Sequence, residues 1–262
     1  MQIKDVWEQT EIAREDSEVF LSTLLQQDRS WIFAHPDDDI SSMHAEILES
    51  WMKRRQAGEP LAYILLWKEF FGRAFSVDPR VLIPRPATEG LVELALEMME
   101  ADSPARCERS VDSGIVAYGE RWCRDDVQCI ADIGTGSGCI AVTIACERPS
   151  RRIIASDTSD DALQVARENA IRHGVEERIE FRNGHLLQPL RAETNSFLIV
   201  ANLPYVPEHH AIPRDVTCEP TSALFAGSDG LDLLLPLVRQ AREHPACVGL
   251  VVECREDQLS RL

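Results

Sequence analysis

The amino-acid sequence predicts an α/β protein, in which a small helical domain precedes a mostly parallel, doubly wound sheet. After residue 127, short apolar runs alternate with segments of helical periodicity, as expected when strands and helices alternate along a parallel sheet. Before residue 70, apolar side chains such as Val19, Phe20 and Leu24 recur at helical spacing. The 262 residues suffice for one large domain, or for one domain and a smaller one.

Changes in this pattern divide the chain into segments. Aromatic residues flank Gly72, which predicts a short hairpin after the helical domain. Thr88 fits the cap of the next helix, whose apolar face carries Leu91 and Leu94. A stretch without sustained periodicity follows, which predicts a loop or insertion. The expected segments are a helical domain at 1–70, a hairpin and connecting helix at 71–100, a loop or insertion at 101–126, and the sheet domain at 127–262.

Within the sheet domain, apolar runs and helical periods mark the individual elements. Ser159 or Asp160 is expected to cap one helix, and Pro236 to bend or interrupt a later one. Strands are expected at 127–133, 152–155, 178–181, 197–200 and 247–252, and helices at 138–146, after 160, and at 231–242.

Composition limits the partners and the compartment. Asp and Glu outnumber Lys and Arg by 44 to 27, and the resulting net charge of −17 disfavours direct binding to nucleic-acid phosphates. The first residues lack the basic and apolar regions of a signal peptide, and no apolar run approaches the ~18 residues of a membrane span. The eight cysteines form no C-x-x-C pair. We therefore expect a cytoplasmic protein with reduced cysteines, no metal site and no membrane partner.

A glycine-rich loop follows the first strand of the sheet domain and opens a helix. Gly134, Gly136 and Gly138 have the spacing G-x-G-x-G, which differs from the G-x-G-x-x-G of dinucleotide-binding proteins. Glycines let a ligand approach the backbone, and a helix N-terminus offers free N–H groups. Asp132 precedes the loop, and Asp157 ends the next strand, where a carboxylate can accept both hydroxyls of a ribose. A different ligand of nucleotide type, such as NAD, is the alternative interpretation.

This combination resembles the S-adenosylmethionine site of Rossmann-like methyltransferases. The resemblance implies that the loop lines the methionine part of the cofactor and that Asp157 holds its ribose. Leu186 stands where a bulky residue can cover the adenine ring, and His185 replaces a more usual aspartate beside it. The cofactor residues that the resemblance implies are Asp132, Gly134, Thr135, Gly136, Ser137, Gly138, Asp157, Leu186 and Asn202.

A second motif follows the strand at 197–200, at an edge where such sheets bind ligands. The catalytic residues we expect there are Asn202, Leu203, Pro204 and Tyr205. They resemble the N-P-P-Y motif of enzymes that methylate planar amide or amino nitrogens. An amide nitrogen is a poor nucleophile, so holding it in line with the donor methyl group is what assists the reaction. The asparagine oxygen and a backbone carbonyl can accept both N–H bonds, and the tyrosine ring can form an apolar wall. A simple turn after a strand is the alternative.

Further motifs distinguish among methyltransferases. Residues 58–64, 69–72 and 82–89, with 219–220 and 227–232, resemble the peptide-chain-release-factor glutamine N5-methyltransferase family (PrmC/HemK). The resemblance runs from about residue 10 to the end. It implies a Rossmann-like methyltransferase sheet joined by a β-hairpin to a small N-terminal helical domain that helps to dock the substrate. It also implies that the substrate is the glutamine side chain in the Gly-Gly-Gln loop of a release factor.

Departures from the family pattern leave two other functions open. Leu203 replaces the first proline of the motif, so we expect a looser site, although the backbone carbonyl that the family uses is still present. The sequence N-L-P-Y also resembles enzymes that dimethylate adenine in ribosomal RNA, which are usually basic. Adenine-N6 methylation of RNA or DNA is therefore one alternative, and a weakened paralogue that only binds a partner is another.

The family continues with a further helix and two strands where this sequence stops at Leu262. We accordingly expect a chain truncated at its C-terminus, with the strand at 247–252 as an exposed edge of the sheet.

Overall fold

The structure is a computed structural model that describes residues 1–9, 11–100, 109–111, 114–118 and 127–262. It divides into two compact units. The first comprises Met1–Leu66 together with Ile212–Cys218, and the second comprises Trp67–Ala211 together with Glu219–Leu262.

The first unit is helical, as predicted. Asp28 and Ser41 cap two of its helices, since their side chains accept hydrogen bonds from Trp31 N at 2.7 Å and His44 N at 3.2 Å. Phe20 is among the fully buried side chains of its core. The helices are α1 (Ile3–Gln9), α2 (Arg14–Leu25), α3 (Arg29–Ala34), α4 (Ser42–Gln56) and α5 (Leu61–Leu65). In the part of the chain that the structure describes, no helix combines the length and apolarity needed to cross a membrane.

The predicted hairpin opens the second unit. Strands β1 (Trp67–Phe70) and β2 (Arg73–Ser76) pair antiparallel, with Trp67 opposite Ser76. Gly72 lies in the connecting turn with φ of +69°, a backbone conformation that glycine adopts without strain. The hairpin is fixed by the complete burial of Phe70 and Phe75.

The main sheet has the order β3-β4-β9-β8-β5-β6-β7 within the described residues. The strands from β9 to β7 are parallel, and their order reverses between β5 and β8. This is the doubly wound arrangement that the alternating pattern predicts. The strands are β3 (Arg109–Val111), β4 (Ile115–Tyr118), β5 (Cys129–Ile133), β6 (Arg152–Asp157), β7 (Ile179–Asn183), β8 (Phe197–Ala201) and β9 (Cys247–Glu253).

Helices and loops cover both faces of this sheet. Leu91 and Ile140 belong to the core on one face, whereas Leu187 and Leu237 belong to the core on the other. The completely buried strand β8 is therefore a continuous apolar run, and β5 departs from such a run only at Asp132. The helices are α6 (Pro86–Met98), α7 (Cys139–Glu147), α8 (Asp160–Arg172) and α9 (Leu234–Glu243).

Capping was predicted correctly for α8 but not for α6. Ser159 caps α8 by accepting a hydrogen bond from Ala162 N at 3.2 Å. The cap prediction for Thr88 is wrong, because Pro86 occupies the first position of α6 and starts the helix earlier. Pro236 lies in the first turn of α9, where a proline is tolerated, so the predicted bend is also wrong.

The expectation that the strand at 247–252 forms an exposed edge is wrong. Strand β4 pairs antiparallel with β9, with Ile115 opposite Glu253 and Ala117 opposite Val251. Both β4 and β3 come from the segment expected to be a loop at 101–126, most of which lies outside the described residues. The burial of Ile115 and Val116 explains why this short run joins the sheet.

Candidate active site

A cleft of about 310 Å³ lies at the carboxyl ends of the parallel strands, where the strand order reverses. Doubly wound sheets bind their ligands at this position. The glycine loop follows strand β5, and residues 202–205, called the acceptor motif below, follow β8. Among the sequence-predicted site residues, those that line the cleft are Gly134, Thr135, Gly136, Ser137, Asp157, Leu186, Asn202, Leu203 and Pro204.

The glycine loop takes backbone conformations that require its glycines. Gly134, Gly136 and Gly138 have φ of +75°, +53° and +79°. A Cβ atom at Gly134 would lie 2.7 Å from Leu203 Cδ2, and one at Gly138 would lie 2.9 Å from the Cβ of Ala166. The first contact brings the acceptor motif onto the loop, and the second brings α8 against the start of α7.

Asp132 lies beneath the loop and outside the cleft lining, and it is completely buried. Its Oδ2 accepts hydrogen bonds from Thr135 Oγ1 at 2.6 Å and from Ala141 N at 3.1 Å. Its Oδ1 has no partner among the described residues. Burial raises the pKa of Asp132 to about 7. Asp132 thus connects the glycine loop to the first turn of α7.

Asp157 stands at the end of β6 and holds the loop from the side. Its Oδ2 accepts a hydrogen bond from Gly136 N at 3.0 Å, and its Oδ1 accepts one from Ser159 N at 3.0 Å. Each carboxylate oxygen keeps a further lone pair. The carboxylate can therefore shape the loop and still accept hydroxyl groups from a ligand in the cleft.

Asn169 of α8 supports the loop from a completely buried position. Its Oδ1 accepts a hydrogen bond from Ser76 N at 2.7 Å. Its Nδ2 donates to Ser76 O at 3.0 Å and to Ser137 O at 2.8 Å. One buried amide therefore connects the hairpin strand β2 to the glycine loop.

The side chain of Asn202 is held by Thr88 in the first turn of α6. Asn202 Nδ2 donates to Thr88 Oγ1 at 2.8 Å. Thr88 Oγ1 donates in turn to Glu253 Oε2 at 2.9 Å. Within the described residues, no group donates a hydrogen bond to Asn202 Oδ1, and the asparagine lines the cleft. This oxygen can accept a hydrogen bond from an N–H or O–H group of a molecule bound in the cleft.

Tyr205 lies outside the cleft lining, and its hydroxyl donates to Glu253 Oε1 at 2.8 Å. Burial and the neighbouring Glu253 raise the pKa of the Tyr205 phenol, so the hydroxyl keeps its proton. Gln258 Nε2 donates to the Tyr205 carbonyl at 3.0 Å and to the Asp229 carbonyl at 2.9 Å. Both ends of the tyrosine are thus fixed by residues from the C-terminal part of the chain.

A buried carboxylate also holds the segment before α6, part of which lines the cleft. The Arg85 guanidinium donates to Glu219 Oε1, and Ile83 N donates to Glu219 Oε2 at 3.0 Å. Arg85 lines the cleft, whereas Glu219 is almost completely buried. The pair orients the guanidinium at the cleft wall.

Two departures from the family pattern also line the cleft. His185 and Leu186 follow β7, and Leu186 is buried with φ of +49°. A positive φ is costly for a leucine, so the surrounding packing must hold this turn in place. Leu186 therefore has a fixed position at the cleft wall.

Sequence reasoning missed the supporting residues Thr88, Asn169 and Glu253. Two signals were present for Glu253: it directly follows a buried apolar run, and it stands at the carboxyl end of a parallel strand. The hydrogen bonds of Thr88 with Asn202 and of Asn169 with Ser76 span more than 90 residues, and no local pattern encodes them.

Comparisons with known proteins agree with this architecture. The profile of the PrmC N-terminal domain matches residues 3–65, and that of the methyltransferase small domain matches residues 102–224. The release factor glutamine methyltransferase of Coxiella burnetii is 36% identical over 250 residues, which cover 95% of this chain and 81% of that protein. The enzyme of the same name from Xylella fastidiosa strain Temecula1 is 37% identical, over 94% of this chain and 82% of that protein.

Solved structures share the fold at low sequence identity. The hMettl16 catalytic domain, in a crystal structure with MAT2A 3′UTR hairpin 1, matches with a TM-score of 0.52 and 12% identity. The match covers 88% of this chain and 76% of that one. At this level of identity, the similarity concerns the fold alone.

Proposed function

Since the chain belongs to the family of release factor glutamine methyltransferases and is an S-adenosylmethionine-dependent methyltransferase, we propose that it methylates a release factor. The acceptor in this proposal is the side-chain amide nitrogen of the glutamine in the Gly-Gly-Gln loop. We also propose that the helical unit docks the release factor and that the reaction takes place in the cytoplasm, where translation terminates.

The residues of the cleft fit the proposed cofactor. The glycine loop offers backbone without side chains, and the Asp157 carboxylate keeps lone pairs for the hydroxyls of a ribose. Leu186 offers apolar surface at the cleft wall. When bound, S-adenosylmethionine supplies an electrophilic methyl group, so that a strong base is not required.

The observation that carries the proposal is the orientation of Asn202. Its Nδ2 is bound to Thr88, which leaves Oδ1 for one N–H of an acceptor amide. We assign the second N–H to the carbonyl oxygen of Leu203. Two acceptors of this kind select a primary amide, hold its nitrogen in place, and favour the positive charge that develops there.

The direct test is methyl transfer from S-adenosylmethionine to a purified release factor, followed by mass spectrometry to locate the methyl group. We expect the label on the glutamine and none on a release factor in which that glutamine is alanine. Asn202→Ala should lower the transfer rate by about 100-fold, as removal of one oriented transition-state contact does. It should change cofactor affinity less than about threefold, because that contact serves the acceptor.

Asn195→Ala serves as the matched control, because Asn195 is exposed and its side chain bonds, among the described residues, only to nearby Glu193. Methylation of adenine in RNA instead of the release factor would support the alternative of an adenine-N6 enzyme. Equal loss of transfer and cofactor binding in Asn202→Ala would contradict the assigned role. Failure to bind S-adenosylmethionine in calorimetry would favour a protein that only binds a partner.

A further inference from the structure

Glu253 is a buried carboxylate at the end of β9, and only 3% of its surface is exposed. Each of its two oxygens accepts a hydrogen bond from a hydroxyl: Thr88 at 2.9 Å and Tyr205 at 2.8 Å. Thr88 in turn contacts Asn202, and Tyr205 belongs to the same motif as Asn202. One carboxylate therefore bonds to two groups that hold the acceptor motif.

The chemistry of these groups fixes the direction of each hydrogen bond. A threonine hydroxyl has one hydrogen to donate, and an ionised carboxylate can only accept. While Glu253 is ionised, Thr88 must therefore give its hydrogen to Glu253 and use a lone pair toward Asn202. Only the NH2 group of the asparagine can fill that position, because its oxygen carries no hydrogen.

On the premise of the amide-methylating function above, we propose that Glu253 is a positioning residue, which acts through the Thr88 hydroxyl to keep Asn202 Oδ1 facing the acceptor. Without the carboxylate, the Thr88 hydroxyl is free to donate to Asn202 Oδ1. The side-chain amide of Asn202 then turns over. Its NH2 group faces the NH2 group of the glutamine amide, so that two hydrogen-bond donors oppose each other. The predicted role of Glu253 is thus to make the site selective for an acceptor that donates N–H bonds.

The burial of Glu253 supports a functional role. Desolvation of a carboxylate is costly, and burial raises the pKa of Glu253. Apolar residues of similar volume often replace buried charges without loss of stability. A carboxylate kept at this point, with both oxygens directed at hydroxyls of the acceptor region, is therefore better explained by orientation of the motif than by stability.

Four variants separate orientation from packing. Thr88→Val removes the hydroxyl with little change of shape, whereas Thr88→Ser keeps it. Glu253→Leu removes both acceptor oxygens, whereas Glu253→Gln keeps one oxygen that Thr88 can still use. Thr143→Val is the matched control, because Thr143 is also buried but its hydroxyl has no partner among the described residues.

The kinetic measurements are kcat and KM for glutamine methylation and the dissociation constant for S-adenosylmethionine. We expect Thr88→Val and Glu253→Leu to lower kcat about tenfold or more, with cofactor affinity changed less than threefold. Thr88→Ser and Thr143→Val should stay within about threefold of the wild type. Glu253→Gln should retain more activity than Glu253→Leu.

A specificity measurement reports on orientation directly. A release factor whose loop glutamine is replaced by glutamate offers oxygen acceptors in place of the NH2 group, so the wild-type enzyme should bind it poorly as an inhibitor. The preference for glutamine is the inhibition constant of the glutamate form divided by the KM of the glutamine form. In Glu253→Leu and Thr88→Val, this ratio should fall by about tenfold. Loss of packing alone would weaken both ligands together and leave this ratio unchanged.

The outcomes distinguish the two proposals. If the wild-type enzyme does not methylate the release factor, the proposed function and this inference both fail. If the wild-type enzyme does so, and Glu253→Leu matches it in rate and in the glutamine preference, only the role of Glu253 is overturned. Thr88→Ser behaving as poorly as Thr88→Val would also overturn it, since the hydroxyl would then be irrelevant.

Discussion

The side chain of Leu203 packs against Gly134, and a Cβ atom at that glycine would lie 2.7 Å from Leu203 Cδ2. Leu203, which replaces the first proline of the family motif, thus packs onto the glycine loop, and only 5% of its surface is exposed. The sequence shows the loss of a proline ring at 203 but not this contact. Packing against the loop is a restraint that the sequence does not reveal, and the expected looseness of the site stays a prediction.

Gly134→Ala is predicted to weaken cofactor binding by about tenfold or more. The added Cβ meets Leu203, and φ of +75° strains any residue other than glycine, at about 1 kcal/mol or more. Adding Leu203→Ala removes the collision but leaves the strain. The double variant should therefore recover part of the affinity, measured by calorimetry as a double-mutant cycle. Simple additivity of the two changes would show that Leu203 does not restrict position 134.

Asn169→Asp is predicted to reduce both stability and cofactor affinity. The substitution keeps the shape of the side chain but turns the Nδ2 donor into an oxygen that faces the carbonyls of Ser76 and Ser137. A buried charge without compensation costs about 3 kcal/mol or more, which urea unfolding measures. The glycine loop loses its support at Ser137, so the dissociation constant for S-adenosylmethionine should rise.

Gln128→Glu provides the control for Asn169→Asp, because the same amide-to-acid change at an exposed position should shift stability by less than about 0.5 kcal/mol. A loss of stability with unchanged cofactor affinity would mean that Asn169 supports the fold without shaping the loop.

Asp132 predicts a specific pH dependence of stability. Burial raises its pKa from an ordinary 3.8 to about 7. Between these values, the folded chain holds a proton that the unfolded chain has lost. The contribution of this group to the free energy of unfolding therefore falls as pH rises, by up to about 1.4 kcal/mol per pH unit.

The measurement compares urea unfolding of the wild type with that of Asp132→Asn from pH 4.5 to 8. The other titrating groups are common to both proteins, so the difference isolates Asp132. The wild type should lose stability relative to the variant up to about pH 7, after which the difference should level off. Parallel curves across the range would contradict a raised pKa at Asp132.

Local sequence patterns predicted most of the sheet. Strand β8 is buried on both faces, so its continuous apolar run is visible without tertiary information. The glycine loop and Ser159 could also be predicted from the local sequence, because a positive φ and a helix cap each require particular residue types. The pairing of β4 with β9 was missed because it joins a run of four residues to a strand about 130 residues later.

Several of the site residues expected from the sequence line the cleft, but the sequence did not predict the hydrogen bonds that support them. Asn202 and Asp157 follow strands that the sequence marks, so their place at the cleft could be predicted. The roles of Thr88 and Glu253 depend on hydrogen bonds across 114 and 165 residues. A pattern read over a short window does not contain such contacts.

If Glu253 positions Asn202 as proposed, its place in the chain also sets the order in which a newly made enzyme gains its properties. Ribosomes synthesise the glycine loop and Asn202 well before they reach β9. A nascent chain at that stage contains the residues proposed to bind the cofactor, but the Thr88 hydroxyl has no carboxylate to direct it. In the proposed roles, cofactor binding can therefore be assembled before acceptor selectivity, because a nascent chain that ends before β9 lacks the carboxylate that orients the glutamine amide.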